Sequence, residues 1–147
     1  MTQQNTLVNL IDFAQKESDT ASRRLAALHA QERELQDKLQ VLTQYRDDYQ
    51  NRMQKTTAGG VQHQALANFR EFMTRLDTAI LQQRKMVAAL QQQVERSRLE
   101  WLAKQRKLKS YHTLADRQMK LETQRMNKRE QREQDEHALK LSYQQRG

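Results

Sequence analysis

The sequence predicts an all-α fold in which two long helices, joined by one short turn, pack together as an antiparallel coiled-coil hairpin. Three observations support this. Apolar residues recur at alternating steps of four and three along two stretches, proline is absent, and the glycines other than Gly147 are the neighbours Gly59 and Gly60. Proline and glycine interrupt helices most strongly, so a chain that confines them to one place can form a helix on either side.

The first predicted helix covers residues from about 4 to 55. Apolar residues occupy eleven of the fourteen positions that the alternation reaches from Leu7. This pattern is typical of a coiled-coil seam. The predicted seam positions are Leu7, Ile11, Ala14, Ser18, Ala21, Leu25, Leu28, Glu32, Leu35, Leu39, Leu42, Arg46, Tyr49 and Met53.

The second predicted helix covers residues from about 62 to 136. From Leu66 the same alternation finds twelve apolar residues at fifteen positions, and the steps after Ala115 fall on polar residues. The seam is therefore expected to end at Ala115. Its positions are Leu66, Phe69, Met73, Leu76, Ile80, Gln83, Val87, Leu90, Val94, Ser97, Trp101, Lys104, Leu108, Tyr111 and Ala115.

The turn is predicted at about residues 56–61. Glycine adopts the positive φ angles that a helix end and a sharp reversal require. One reversal makes the two helices antiparallel partners within a single domain, residues 1–147. The alternative is one continuous helix that dimerises with a second copy, because the glycine pair would cost it only ~2 kcal/mol. We favour the hairpin.

The net charge of +8 is concentrated after residue 95, where 14 Lys+Arg face 7 Asp+Glu. At ~1.5 Å per residue the helices would be about 78 Å and 112 Å long, so the second should extend roughly 20 residues beyond the first. This basic overhang, residues 117–133, has almost no seam. We expect it and the basic C-terminal tail to fray unless a partner binds them.

The composition argues against several functional classes. Cysteine is absent, and the four histidines stand singly, so we expect no metal site and no cofactor. A pair of helices has no dry interior for catalysis, and no phosphate-binding glycine loop is present, so we expect no enzyme. No segment resembles a signal peptide or a membrane span, which predicts a soluble protein of the cytoplasm.

Two surfaces are candidates for binding. Counting outward from the glycines, Tyr45 lies level with about residue 74. An aromatic–aliphatic surface is therefore predicted from Tyr45, Tyr49, Phe72 and Leu76. Exposed aromatic clusters commonly mark interfaces. The alternative is that these side chains only thicken the seam.

The basic overhang is the second candidate, and it has three interpretations. It could be a solvated charged helix, a nucleic-acid contact, or a helix that enters an acidic cavity of a protein partner. Acidic residues interrupt the overhang, which disfavours binding to phosphates. Few aromatic rings lie near it, so nucleic-acid bases would have little to stack on. We favour the protein partner.

The chain resembles the FliJ family of the bacterial flagellar type III export apparatus. The resemblance rests on the order and spacing of four segments around the turn: LVNLIDFAQKESDTA, LTQYRDDYQNR, NFREFMTRLDTAILQQ and WLAKQRKLKSYHTLADRQ. It implies a coiled coil similar to the stalk (γ) subunit of rotary ATPases. It also implies three kinds of partner: the hexameric ring of the export ATPase FliI, the cytoplasmic region of the export gate FlhA, and export chaperones such as FlgN and FliT.

The resemblance also implies binding residues. Lys38 and Gln83 replace the family's Gln and His, but the aromatic residues between them are kept. The implied gate-binding residues are Lys38, Leu42, Tyr45, Tyr49, Phe72, Leu76, Ala79 and Gln83. The overhang residues expected at the ATPase ring are Arg117, Lys120, Arg125, Lys128 and Arg129.

The implied location is the cytoplasmic face of the inner membrane at the flagellar base, where only the partners would hold the chain at the membrane. No nucleic acid is expected as a partner. The competing interpretations are a basic coiled-coil nucleic-acid-binding protein, a generic coiled-coil scaffold, and the equivalent stalk of a virulence type III secretion system.

Overall fold

Two long helices make up nearly all of the chain in the computed structural model, which describes residues 2–60 and 62–146. Helix α1 spans Thr2–Thr57 and helix α2 spans His63–Arg146. No strand occurs among the described residues, and the two helices pack against each other. The prediction of an all-α, two-helix fold is confirmed.

The turn between the helices follows from the glycine pair. The amides of Ala58, Gly59 and Gly60 donate to the carbonyls of Gln54, Thr56 and Thr57 at 3.3, 3.1 and 3.2 Å. These bonds use carbonyl groups that the end of α1 would otherwise leave unpaired. Gly60 has a φ of 85°, a conformation that glycine adopts without strain.

Two helix boundaries differ from the predicted ones. Helix α2 continues to Arg146 instead of ending near residue 136, because neither proline nor glycine interrupts it before Gly147. Helix α1 begins and ends about two residues outside its predicted limits. Val61, within the predicted turn, lies outside the described residues, as do Met1 and Gly147. Fraying of the tail stays a prediction.

Contacts divide the chain into two compact units, and each pairs a segment of α1 with a segment of α2. Unit 1 combines Met1–Ser18 with Ala103–Gly147, and unit 2 is Asp19–Leu102. In both units the paired segments run in opposite directions. The expectation of a single domain stays a prediction.

The core of unit 2 lies on the predicted seam. Its buried apolar residues are Ala21, Leu76, Ile80, Val87, Leu90 and Val94. Three polar contacts also join the helices. Arg46 Nε lies 2.5 Å from an Asp77 carboxylate oxygen, and Arg24 lies 3.3 Å from Glu100. The Gln83 side-chain amide donates to the Leu35 carbonyl at 2.9 Å.

The core of unit 1 is narrower and uses small residues. Ala14 and Ser18 from α1 are buried, as is Leu108 from α2. The helices are also joined by Lys104 to Glu17 at 3.1 Å and by Gln105, which donates to the Ser18 hydroxyl at 3.0 Å. Small side chains allow a close approach of the helices, which these polar contacts reinforce.

The predicted seam agrees with burial along both helices. Every predicted position from Leu7 to Met53 and from Leu66 to Ala115 is buried or half-buried. Gln118 adds one half-buried position, and every residue from Met119 to Arg146 is exposed. Within the described residues, no helix has the length and hydropathy that a membrane span would need.

Candidate protein-docking sites

The first candidate site is an aromatic cluster in unit 2, close to the turn. The ring centroid of Tyr49 lies 4.7 Å from that of Phe72 and 5.3 Å from that of Phe69. The Tyr45 ring lies 6.1 Å from Phe72, edge to face, and 6.4 Å from Tyr49. The predicted meeting of Tyr45 and Phe72 across the two helices is confirmed. Phe69, predicted only as a seam residue, also contacts this cluster.

The members of the predicted surface differ in exposure. The Tyr45 side chain is 51% exposed, whereas Leu76 is 8% exposed. Tyr49 and Phe72 are half-buried. Leu76 therefore supports the rings from within the seam and offers little surface of its own, while Tyr45 offers the largest ring area to a partner.

The remaining predicted gate-binding residues lie along the same part of unit 2. Lys38 is exposed, and Leu42 and Ala79 are half-buried. The Gln83 side-chain amide already donates to the Leu35 carbonyl, so one of its donors is used within the fold. The structure brings these residues to the region of the cluster.

Val41 is an exposed apolar residue that the sequence reasoning did not single out. Together with Asp37, Asp48 and Tyr45 it lines a shallow groove on the outer side of α1. The sequence could have indicated Val41, because it is an apolar residue away from the seam, where polar residues are usual. The groove widens the area that a partner of the aromatic cluster could touch.

The second candidate site is the overhang of α2 in unit 1. Among the described residues, the hydrogen bond between the helices of this unit that lies furthest from the turn joins Gln4 to Glu122 at 2.8 Å. Beyond Glu122 every described side chain is exposed. The predicted ring-binding residues are all exposed, and none takes part in the ion pairs found among the described residues; they are Arg117, Lys120, Arg125, Lys128 and Arg129.

Ion pairs of other cations occur on both helices and include Arg98 of α2 and Arg46 of α1. The Glu95 carboxylate accepts hydrogen bonds from Arg98, which lowers the pKa of Glu95. Asp77 raises the pKa of Arg46 in the same manner, by accepting a hydrogen bond from it. Among the described residues, no group of three His, Cys, Asp or Glu side chains could hold a metal ion. Both candidate sites are exposed surfaces to which another protein could bind.

A family model and two similar proteins all point to the same protein family. The model of a family described as "Flagellar FliJ protein" matches residues 3–147. Two similar proteins, both named flagellar FliJ protein, come from Salmonella typhi and Escherichia coli strain K12. They are 28% and 26% identical over 142 residues, with 97% of both chains covered. No solved structure matches the chain.

Proposed function

The chain belongs to the FliJ family, which makes it a component of the flagellar export apparatus, and we propose that it acts there as a non-enzymatic coiled-coil stalk. In this role it stimulates the ring of the export ATPase FliI and couples that ring to the export gate FlhA. It also escorts export chaperones such as FlgN and FliT. These partners hold it at the cytoplasmic face of the inner membrane at the flagellar base.

The observation that carries the proposal is the aromatic cluster around Tyr45. Four rings from both helices meet there, and the Tyr45 ring remains half exposed. Tyrosine side chains contribute large apolar area to protein interfaces at a low entropy cost. This cluster binds the cytoplasmic region of FlhA, with Lys38 and Ala79 at its border.

The overhang supports the contact with the ring. The overhang exposes cations that have no ion-pair partner among the described residues, and acidic carboxylates in a ring would attract this positive charge. Charge reversal of three cations tests this contact. The substitutions are Arg125→Glu, Lys128→Glu and Arg129→Glu. We expect the triple variant to stimulate FliI ATP hydrolysis less than the wild-type chain does.

The salt dependence of that loss separates electrostatic binding from misfolding. A surface electrostatic contact weakens as salt screens it, so the difference between wild type and variant should shrink at high ionic strength. Equal stimulation by both proteins at low salt would exclude the overhang as the ring contact. Circular dichroism of the variant verifies that the helices remain folded.

Capture of partners from a flagellated bacterial lysate tests the proposal as a whole. The tagged chain should retain the export ATPase and the gate, identified by mass spectrometry. A Tyr45→Ala variant should lose the gate while it keeps the ATPase. Loss of both partners, or of neither, would contradict the assignment of separate contacts.

A further inference from the structure

One edge of unit 1 combines unpaired cations with exposed apolar side chains. Residues 103–121 contain six Lys or Arg residues and a single acidic residue, Asp116. Lys104 is paired with Glu17 at 3.1 Å. None of the other five cations enters the ion pairs found among the described residues. The segment thus presents an excess of positive charge.

The helical period places three of these cations beside two leucines. Leu114 precedes the seam residue Ala115, and Leu121 lies one heptad later on the same edge. At about 100° per residue, Arg106, Lys107 and Arg117 lie within roughly 70° of the mean direction of the leucines. We call the five residues the basic edge: Arg106, Lys107, Leu114, Arg117 and Leu121.

Helix α1 adds apolar surface to the same side of unit 1. Leu10 precedes the seam residue Ile11 as Leu114 precedes Ala115, and antiparallel packing brings these two flanking positions to one side. The contacts of Gln4 with Glu122 and of Ser18 with Gln105 place Leu10 level with about residue 115. Phe13 lies one turn further along and is 60% exposed.

Exposed leucines and a phenylalanine beside cations indicate that the partner of this surface is an anionic membrane and not nucleic acid. Leu10, Leu114 and Leu121 are between 40% and 54% exposed. In an interfacial helix such side chains enter the boundary between headgroups and acyl chains, while cations attract anionic headgroups. Nucleic acid would use the cations but would gain little from the leucines, because bases stack on aromatic rings.

We propose that the basic edge, with Leu10 and Phe13, rests directly on the surface of a membrane that contains anionic phospholipids. This contact goes beyond the proposed function, in which only protein partners hold the chain at the membrane. It does not depend on the contact with the gate. Arg117 also belongs to the predicted ring-binding set, so lipid and ring compete for that side chain.

Vesicle co-sedimentation of the full chain tests the proposal. We expect binding to vesicles of phosphatidylcholine with about 30% phosphatidylglycerol, little binding to phosphatidylcholine alone, and weaker binding as salt increases. The edge variant carries Arg106→Gln, Lys107→Gln and Arg117→Gln. With roughly a fivefold effect per cation, its partition coefficient should fall about 100-fold.

A matched control distinguishes the contribution of the basic edge to vesicle binding from that of the net charge of the chain. Arg23→Gln, Arg33→Gln and Lys85→Gln remove the same charge from exposed positions of unit 2, and we expect them to reduce binding less than about fivefold. A second variant, Leu114→Ser with Leu121→Ser, should bind roughly tenfold more weakly and keep its salt dependence. Circular dichroism verifies that each variant is folded.

Several results would overturn the proposal. These are the absence of binding to anionic vesicles, equal binding to neutral ones, or equal losses in the edge variant and the unit 2 control. Normal vesicle binding by the edge variant would also overturn it. If the wild-type chain bound poly-glutamate or duplex DNA and the edge variant did not, the edge would be reassigned to an acidic protein or to nucleic acid.

Discussion

Replacing Tyr45 and Leu76 separately by alanine distinguishes a docking surface from a packed seam. The Tyr45 side chain is half exposed, and its ring contacts Phe72 and Tyr49 at centroid distances of 6.1 and 6.4 Å. Aromatic pairs at such separations contribute roughly 0.5–1.5 kcal/mol, so Tyr45→Ala should cost about 1 kcal/mol of folding stability.

Leu76→Ala should instead lower folding stability strongly and affect binding to the gate less. Leu76 is 8% exposed, and removing a buried leucine side chain costs about 2–4 kcal/mol because apolar burial is lost and a cavity remains. For a chain of this size, that corresponds to a melting temperature lower by roughly 5–15 °C. Phe72→Ala is less informative, because Phe72 packs against Tyr49 at 4.7 Å and both stability and binding would change.

Two measurements on the same proteins complete the test. Thermal unfolding followed by circular dichroism gives stability, and calorimetric titration with the cytoplasmic region of FlhA gives affinity. Tyr45→Ala should weaken binding at least about 30-fold, the loss expected for a central aromatic residue of an interface. Tyr143→Ala is the matched control, because Tyr143 is 75% exposed and lies near the end of α2, far from the aromatic cluster in sequence.

Either of two results would contradict a docking role for Tyr45. Wild-type affinity of Tyr45→Ala would remove the aromatic cluster from the gate contact. A loss of stability in Tyr45→Ala as large as that in Leu76→Ala would show that the ring is part of the packed seam, with no ring area left for a partner.

Three further predictions concern the turn, an ion pair and the basic surface. Gly60→Ala should lower stability by about 1–2 kcal/mol, because φ is 85° there, whereas Gly59→Ala should change it little; equal melting temperatures would contradict this. Arg98 lowers the pKa of Glu95, so this carboxylate stabilises the fold above its ordinary pKa of 4.5, and the effect is lost as pH falls through the lowered value. Wild type should therefore melt above Glu95→Gln at pH 7 but not in acid, and a difference independent of pH would refute the assignment. The chain should not shift duplex DNA in a gel at about 150 mM salt, and a stable shift would favour the nucleic-acid interpretation.

The sequence predicted the seam well because a two-helix fold has few ways to bury apolar residues. The alternating steps from Leu7 and from Leu66 select one stripe on each helix, and the glycine pair determines which residues lie level. The meeting of Tyr45 with Phe72 could be predicted from these two facts alone. Neither the spacing of the stripes nor the position of the glycines depends on how the side chains pack.

Depth of burial was harder to predict than position. Periodicity assigns Tyr49 and Leu76 to the seam, but their different exposure depends on how neighbouring rings fill space, which spacing does not determine. The end of α2 was missed because the helix continues far beyond the end of the seam at Ala115, and residues 137–146 contain no proline or glycine to stop it. Val41 lies neither on the seam nor directly beside it on the helix surface, so the period of the seam gives no reason to select it.

The polar contacts between the helices of unit 2 also determine how these helices can move. If α2 slid by one heptad in either direction, Arg46 would face Arg84 or Arg70 in place of Asp77. The partner of the Leu35 carbonyl would become Leu90 or Leu76, neither of which can donate a hydrogen bond. The apolar stripe alone would tolerate such a shift, since its heptads are alike. Mechanical force applied to unit 2 is therefore expected to displace or twist both helices together, because sliding one past the other breaks these contacts.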